Sequence, residues 1–474
     1  MSTSYRRPVA RWWHTVTDAQ VAAIVLVVVV GIWTRRPLPV LALGIVAVTL
    51  GVRRVLCATA IVVGLLGVVA SQYAWSAVRP DHLGPFDGVA CLVTDPAPVS
   101  GAMAVVLEID GERFEAWARG SPRRRLGLHL AGECVSLVGE RRVLVGFSGR
   151  RAAIRHVVGR LDIKSLGDWS DGGRMDRASN RVRRLFGRGS ALLRQPDDSL
   201  FAGLVIGDDR NEPAAMVDEF RASGLAHLTA VSGQNVSYVL AAAAPVLRRT
   251  RPWLRWVLTI GLITWFAALT RFEPSVLRAG VMAGIAATGV VFGRERPPGR
   301  ILALAVGLLV LVDPLLVWSV GFWLSVGATG GVALFATRLA RCIPGPDWVA
   351  IPAGVTLAAQ IGVAPVSLLM FGSLPIVSIP ANLLAVPVAG VVMLYGLPAG
   401  LAAGALANGP AAVVATLLQI PSGLGTRWVA TVASLAARLE PSGRLVVAGW
   451  VTVVVVIGAR LMMIRRRRVC EGVG

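Results

Sequence analysis

The sequence predicts a polytopic α-helical membrane protein of about 12 transmembrane helices, with one small extracytoplasmic β-barrel domain inserted among them. Three observations carry this. Of 474 residues, 55% are hydrophobic and only 16% charged, with a mean hydropathy of +0.65, whereas soluble chains average about 25% charged. Apolar runs near the bilayer-spanning length of about 20 residues recur along the chain. One stretch, residues 79–198, interrupts them with charge and short alternating segments. This composition excludes a disordered tail, a collagen-like fibre and an ordinary cytosolic enzyme.

In chain order, a tail (1–18) precedes apolar runs at roughly 19–34, 38–52 and 55–78, the first two short enough for a tight hairpin. The first run lacks a small-residue cleavage site and leads straight into another, so it reads as a span and not a signal peptide. After the insertion, runs resume near 224–247, 254–270, 275–292, 301–312, 315–337, 349–371, 374–400, 404–420 and 445–464. Arginines in short loops are retained on the cytoplasmic side. Placing Arg6, Arg7 and Arg11 inside also puts Arg53, Arg54, Arg248, Arg249, Arg251, Arg255, Arg294, Arg296, Arg300, Arg338, Arg341 and Arg465–Arg468 inside. Both termini are then cytoplasmic, and residues 79–198 lie outside. The expected units are a cytoplasmic tail (1–18), N-terminal transmembrane helices (19–78), a β-domain (79–165), an amphipathic interfacial helix (166–198), a second transmembrane domain (199–464) and a basic cytoplasmic tail (465–474).

The net charge is +21, from 48 Lys+Arg against 27 Asp+Glu, and Lys164 is the only lysine. A phosphate-binding loop needs Gly-Lys before Ser or Thr. Lys164 follows Ile163, so a Walker-type ATPase site is excluded.

Within the insertion, strands are expected at 86–95, 103–110, 113–118, 132–139 and 142–147, with Asp110-Gly111 as a hairpin turn. Five or six short strands in so small a segment suit a β-barrel, of which the oligonucleotide-binding (OB) type is one candidate. The insertion holds 20 basic and 15 acidic residues, a mild net of +5. The arginines are clustered, however. Arg123, Arg124 and Arg125 form one group, and Arg141, Arg142, Arg150, Arg151 and Arg155 belong to a stretch free of acids. Such clusters suit a phosphate backbone, and equally a solvated face. Arginines at 174, 177, 181, 184 and 188, each followed by a residue of an apolar stripe, predict a helix lying on the membrane surface. Five cysteines are present. Cys57, Cys342 and Cys470 fall in or near spans or the cytoplasmic tail, while Cys91 and Cys134 lie outside, where oxidation favours a disulfide.

Polar groups inside spans mark a cavity, a partner or a pathway. They are densest in His227-Leu-Thr-Ala-Val-Ser-Gly-Gln-Asn235, and recur at Gln360 and Asn382. Ser232, Gln234, Asn235, Asn382, Gln360 and His227 are therefore candidates to line a path, although helix–helix hydrogen bonding would use the same side chains.

Several blocks stand out in order along the chain: Leu200-Phe-Ala-Gly-Leu-Val-Ile-Gly-Asp208, Phe220-Arg-Ala-Ser-Gly-Leu-Ala-His-Leu-Thr-Ala-Val-Ser-Gly-Gln-Asn235, Pro274-Ser-Val-Leu-Arg-Ala-Gly280, Asp313-Pro-Leu-Leu, Gly321-Phe-Trp-Leu-Ser325, Thr356-Leu-Ala-Ala-Gln360 and Pro380-Ala-Asn-Leu-Leu-Ala-Val-Pro387. Together these blocks resemble the ComEC family, the membrane channel of bacterial competence. They fall in family order, and the β-domain sits where the family places its OB-like domain. The resemblance implies a channel for single-stranded DNA across the cytoplasmic membrane of a bacterium during natural transformation. No enzyme activity, cofactor or metal is expected, since the sequence has neither a phosphate-loop lysine nor a His-x-His pair. The partners the resemblance implies are single-stranded DNA, the lipid bilayer, a DNA receptor outside, an ATPase or single-strand-binding proteins inside, and a second copy in a homo-oligomer.

Many family members end in a metallo-β-lactamase-like nuclease domain. This chain is expected to lack one, because its five histidines include no His-x-His pair. Two other readings compete: a membrane-embedded hydrolase using His227 with Asp208, Asp209 or Glu219, and a transporter of a small or lipid-linked solute.

Overall fold

The computed structural model describes residues 16–460, apart from 50–52, 100, 230–232, 295, 373, 442, 444–445, 447–448, 454, 457 and 459. Ser232, the tail 465–474, most of the tail 1–18 and part of the expected span 445–464 lie outside the described residues.

An N-terminal helical unit comes first: α1 (Asp18–Thr34), α2 (Pro37–Thr49) and α3 (Arg54–Ser76). A reciprocal capping box between Thr17 and Gln20 starts α1. The β-domain follows: β1 (Gly84–Leu92), β2 (Ala97–Val99), β3 (Ala102–Ile109), β4 (Glu112–Ala118), α4 (Gly120–Leu126), β5 (Cys134–Val143), α5 (Gly146–Ala153) and β6 (Val157–Ser170). Then come α6 (Arg174–Ser190), α7 (Asp197–Ile206), α8 (Ala214–Ala222), α9 (Ala226–Thr229), α10 (Gly233–Leu247), α11 (Pro252–Leu269), α12 (Pro274–Val291) and α13 (Pro298–Val312). A 3₁₀ turn (Pro314–Trp318) leads to α14 (Val320–Ala340), α15 (Asp347–Phe371), α16 (Ser378–Leu406) and α17 (Ala412–Leu439). Proline opens α11, α12 and α13, where its missing N–H has no helical partner to lose.

Among the described residues six helices are long and apolar enough to cross a membrane: α3, α11, α12, α14, α15 and α16. Apolar helices α1, α2 and α13 are shorter. Two expected spans are redrawn. The run 224–247 is divided between α9 and α10, and 404–420 straddles the turn between α16, which continues to Leu406, and α17, which carries Arg427 and Arg438 and reaches Leu439. Hydropathy alone passes over the α16–α17 turn because Asn408 is the only strongly polar residue in 407–411.

The sheet runs β1-β5-β6-β4-β3-β2, and β4–β6 is its one parallel pairing; β1 also pairs with β3 at Cys91↔Glu108 and Leu92↔Leu107. Leu107, Phe114, Ala116, Val135, Leu137 and Leu161 fill its interior. Asp110 and Gly111 both take positive φ (52° and 83°), the backbone a tight hairpin between β3 and β4 needs. Two strand expectations are corrected: 132–139 and 142–147 share one strand, β5, and residues from 146 are helical. β6 was not anticipated, and it carries the domain past 165 to Ser170. Register shifts against β5 break its alternation, so the period of two that marks a strand fails there.

Helix α6 carries its arginine stripe on an exposed face and packs its other face on the helices. Arg174, Arg177, Arg181, Arg184 and Arg188 are exposed, whereas Ser179, Asn180, Arg183, Phe186, Gly189 and Ser190 are buried. This buried face packs on α16 and α11, with Phe186 stacked on Phe201 of α7. Around α7 lies the main helical core, where Leu200, Phe201 and Leu204 meet Phe220, Ala385 and Val429. A second core joins Val28 and Ile32 of α1 to Leu302, Val306 and Val310 of α13.

Candidate functional site

The β-domain is joined to the helices by a buried cluster of charge. Asp95, in the turn between β1 and β2, receives Arg183 Nη2 and Arg271 Nη2, each at 2.9 Å, and the Ala131 N–H at 2.8 Å. Arg183 comes from α6 and also lies 3.3 Å from Asp208, which Arg210 holds with two bonds of 2.6 and 2.7 Å. Arg183 Nη1 donates to the Leu269 carbonyl at 3.0 Å. Arg271, in a left-handed conformation (φ 59°) after α11, donates to Asn180 Oδ1 at 2.7 Å, and Asn180 in turn donates to Ala131 O at 3.1 Å. Five segments distant in sequence meet here: the β1–β2 turn, the α4–β5 turn, α6, the α7–α8 turn and the α11–α12 turn.

Burial alone would raise the Asp95 carboxyl, but Arg183, Arg271 and Arg210 outweigh it and hold the group at about 2. Asp208 is likewise pushed up by burial and brought below its usual range by Arg210 and Arg183. Glu212, in the same turn, has no such partner. Burial, with Asp209 and Asp208 adding repulsion, lifts it to about 8.

Around this cluster, Arg184 bonds Glu133, which also holds His129 at 2.5 Å, and the His129 ring stacks on Trp169 at 3.4 Å. On another side His156 Nε2 lies 3.1 Å from Asp313 Oδ2 at the end of α13. The sequence reading passed over Arg183. It lies outside the arginine stripe, on the face shared with Ser179, Phe186 and Ser190, and that spacing was the available signal.

Two path candidates, Gln360 and Asn382, meet at Ser378 of α16. Gln360 of α15 donates to Ser378 Oγ at 2.8 Å, and Asn382 donates to Ser378 O at 2.7 Å. Gln234 of α10 donates to Tyr238 Oη at 2.6 Å, and the Tyr238 ring packs on Gly390. Asn235 donates to Leu204 O at 3.1 Å. Asn235 and Asn382 are buried, Gln234 and Gln360 are partly exposed, and His227 is exposed. Among the described residues no hydrogen bond or ion pair joins His227 to Asp208, Asp209 or Glu219, and Asp208 is engaged by Arg183 and Arg210.

The arginine candidates of the β-domain separate into three kinds. Arg124, Arg150 and Arg151 are exposed on α4 and α5, and Arg155 is exposed with Glu115 at 3.8 Å. Arg142 is exposed beside Glu140 and Asp162. Arg123, Arg125 and Arg141 are engaged by their own domain: Arg123 on Gly101 O, Arg125 on the carbonyls of Leu166 and Gly167, and Arg141 over the Phe86 ring. Cys91 and Cys134, opposite each other on β1 and β5, are bonded as a disulfide. Among the described residues no three His, Cys, Asp or Glu side chains come together to hold a metal ion.

Long apolar helices with a charged β-domain clamped onto them mark a multi-pass membrane protein. Residues 204–468, more than half of the chain, match the Competence protein family, and the chain belongs to it. It is 28% identical over 228 residues to an uncharacterized protein, YcaI, of Escherichia coli, covering 44% of this chain and 29% of that one. It is 27% identical over 214 residues to ComE operon protein 3 of Bacillus subtilis (44% and 27%), and 26% identical over 187 residues to Recombination protein 2 of Haemophilus influenzae (36% and 24%). The matched segments thus span under a third of these relatives' lengths. No solved structure matches the chain.

Proposed function

We propose that the protein conducts single-stranded DNA across the bacterial cytoplasmic membrane, as the competence family and the relatives named for it suggest. The observation that carries this reading is the buried Asp95–Arg183–Asp208–Arg271 cluster, which ties an arginine-bearing domain directly to the helices of the matched region. A strand captured on that domain is thereby delivered to the helices and not to a freely swinging appendage.

The β-domain is read as an OB barrel. Supporting this are the order β1-β5-β6-β4-β3, the return pairing of β1 with β3, the single parallel pair and a helix between the third and fourth long strands. OB barrels bind strands with their second and third strands and two flanking loops. One of those loops corresponds to 144–156 and carries the exposed Arg150, Arg151 and Arg155. These arginines, with Arg124 and Arg142, would contact phosphates without reading sequence.

In the membrane, Ser232, Gln234, Gln360 and His227 are assigned to the path, with Asn235 and Asn382 bracing the helices around it. Neutral polar groups replace hydration without trapping a charged strand. About 12 spans, both termini inside and the β-domain outside complete the arrangement. A DNA receptor outside and an ATPase or single-strand-binding protein inside would supply strand and direction, and two copies would assemble where one cannot enclose a path.

The test is uptake of labelled DNA in a naturally competent host with the gene deleted, restored, or restored as the Arg150→Glu/Arg151→Glu/Arg155→Glu variant. Deletion is expected to abolish uptake, and the triple variant to lower it about tenfold or more, with a weaker salt dependence. Unchanged uptake on deletion would remove the function.

A further inference from the structure

We infer that Arg278 is a phosphodiester-binding site on the path, one turn inside the membrane from the junction with the β-domain. This rests on the reading of the chain as a DNA conduit. Arg278 sits in α12, four residues after its opening Pro274, hence about 6 Å along the helix from that end. The turn just before α12 holds Arg271, which grips Asp95. Arg278 is only 4% exposed, and its Nε and Nη1 are buried with no hydrogen-bond partner. Among the described residues no carboxylate lies within ion-pairing distance of it. Buried arginine elsewhere in this protein is treated otherwise: Arg183 has two carboxylates and two carbonyls.

The neighbour of the Arg278 guanidinium is itself positive in character. A Cβ placed on Gly233 would lie 3.5 Å from Arg278 Nη2, and Gly233 is the first residue of the 15-residue helix α10. The start of a helix carries the positive end of its dipole. Arg278 and the first described turn of α10 therefore face each other in a low-dielectric setting, with no anion between them among the described residues. Such a pair is the constellation that binds phosphate elsewhere, and an ionisable group within a span marks a functional site. A phosphodiester monoanion matches it in charge and in the two parallel acceptors a guanidinium fork prefers. Two sources carry that group, a DNA backbone and a phospholipid headgroup. The arginine-bearing domain directly outside favours DNA.

The full chain is tested in two ways. Dimethyl phosphate, a free phosphodiester, is expected to raise the unfolding temperature of the wild-type protein in detergent and not that of Arg278→Gln. In phosphatidylcholine vesicles, Arg278→Gln is expected to retain surface capture of a labelled oligothymidylate while its arrival in the lumen falls about tenfold or more. Arg278→Lys keeps the charge without the fork and recovers part of the loss, and it serves also if the glutamine variant does not fold. A peptide nucleic acid of the same bases, lacking phosphates, responds to neither substitution.

Equal stabilisation of wild type and Arg278→Gln by dimethyl phosphate, or equal arrival of the DNA strand, overturns the site. If wild-type protein passes no strand yet is stabilised through Arg278, the conduit reading fails and the anion site stands. If phosphatidylglycerol added to the vesicles blocks arrival in the wild type alone, the occupant is the headgroup and the DNA assignment is overturned.

Discussion

Arg183 shows how much one side chain can organise. Its guanidinium bridges Asp95 and Asp208 and bonds the Leu269 carbonyl, so removing it takes one of two cations from each buried carboxylate, leaving Asp95 to Arg271 and Asp208 to Arg210. Breaking a buried pair from one side costs about 3–5 kcal/mol. Because each acid keeps its other arginine, Arg183→Met is expected to cost less, about 1–3 kcal/mol, and to expose residues 171–173 to protease, both measurable on detergent-solubilised protein. Glu212 predicts a pH effect of definite sign. Its carboxyl titrates at 4.5 when unfolded and at about 8 when folded, so between those values the folded state holds a proton the unfolded state has lost. Stability contributed by this proton is complete at low pH and is lost as pH rises toward 8. Thermal unfolding is expected to show Glu212→Gln gaining on the wild type from pH 5 to 8, by about 1–3 kcal/mol at the upper end. A gain that is flat with pH would refute the assignment.

At the scale of elements, close packing rests on missing side chains. Gly396, Gly400 and Gly404 form a stripe along α16, on which Phe201, Phe186 and the Leu185 backbone rest, and Gly189 of α6 meets the Gly400 backbone. Helices in membranes associate through such small-residue seams because lipid offers no hydrophobic drive to pair them. Gly404→Val is expected to separate α6 from α16 and to cost about 3 kcal/mol or more, read as lost expression and a lowered melting temperature. Gly187→Ala, on the open face of α6, is the contrasting change. It is expected to be neutral or to stabilise by up to about 1 kcal/mol, as Gly→Ala does in an unobstructed helix. In the β-domain the Cys91–Cys134 bond closes 43 residues, a constraint worth roughly 4 kcal/mol in the chain-entropy account. A reductant should lower the melting temperature of the wild type and leave a Cys91→Ser/Cys134→Ser variant unmoved.

For the whole molecule the prediction is one of sidedness. Lys164 is 63% exposed on β6 and Arg249 follows α10 on the arginine-rich side. In intact cells a membrane-impermeant thiol reagent is expected to label Lys164→Cys at once and Arg249→Cys only after permeabilisation. The opposite pattern would invert the topology. The ion cluster carries the corresponding mechanical expectation that β-domain and helices unfold as one unit, so Asp95→Asn should lower a single transition instead of splitting it in two.

Much of this was legible in the chain itself. The apolar runs, the insertion at 79–198 and the Asp110-Gly111 turn follow from local terms, since transfer into lipid and turn conformation depend on a few neighbouring residues at a time. The family motifs were legible for the same reason, as contiguous text. What only the tertiary structure decided depends on partners far apart in sequence. Which face of α6 packs into the helices turned on which of its residues met α16. Arg183 became a clamp, and Arg278 a cation with no acid beside it among the described residues, only once the acids within reach of each were known. Hydropathy adds residue by residue along a chain, whereas the energy of a buried charge is set by whatever the fold brings within about 4 Å of it.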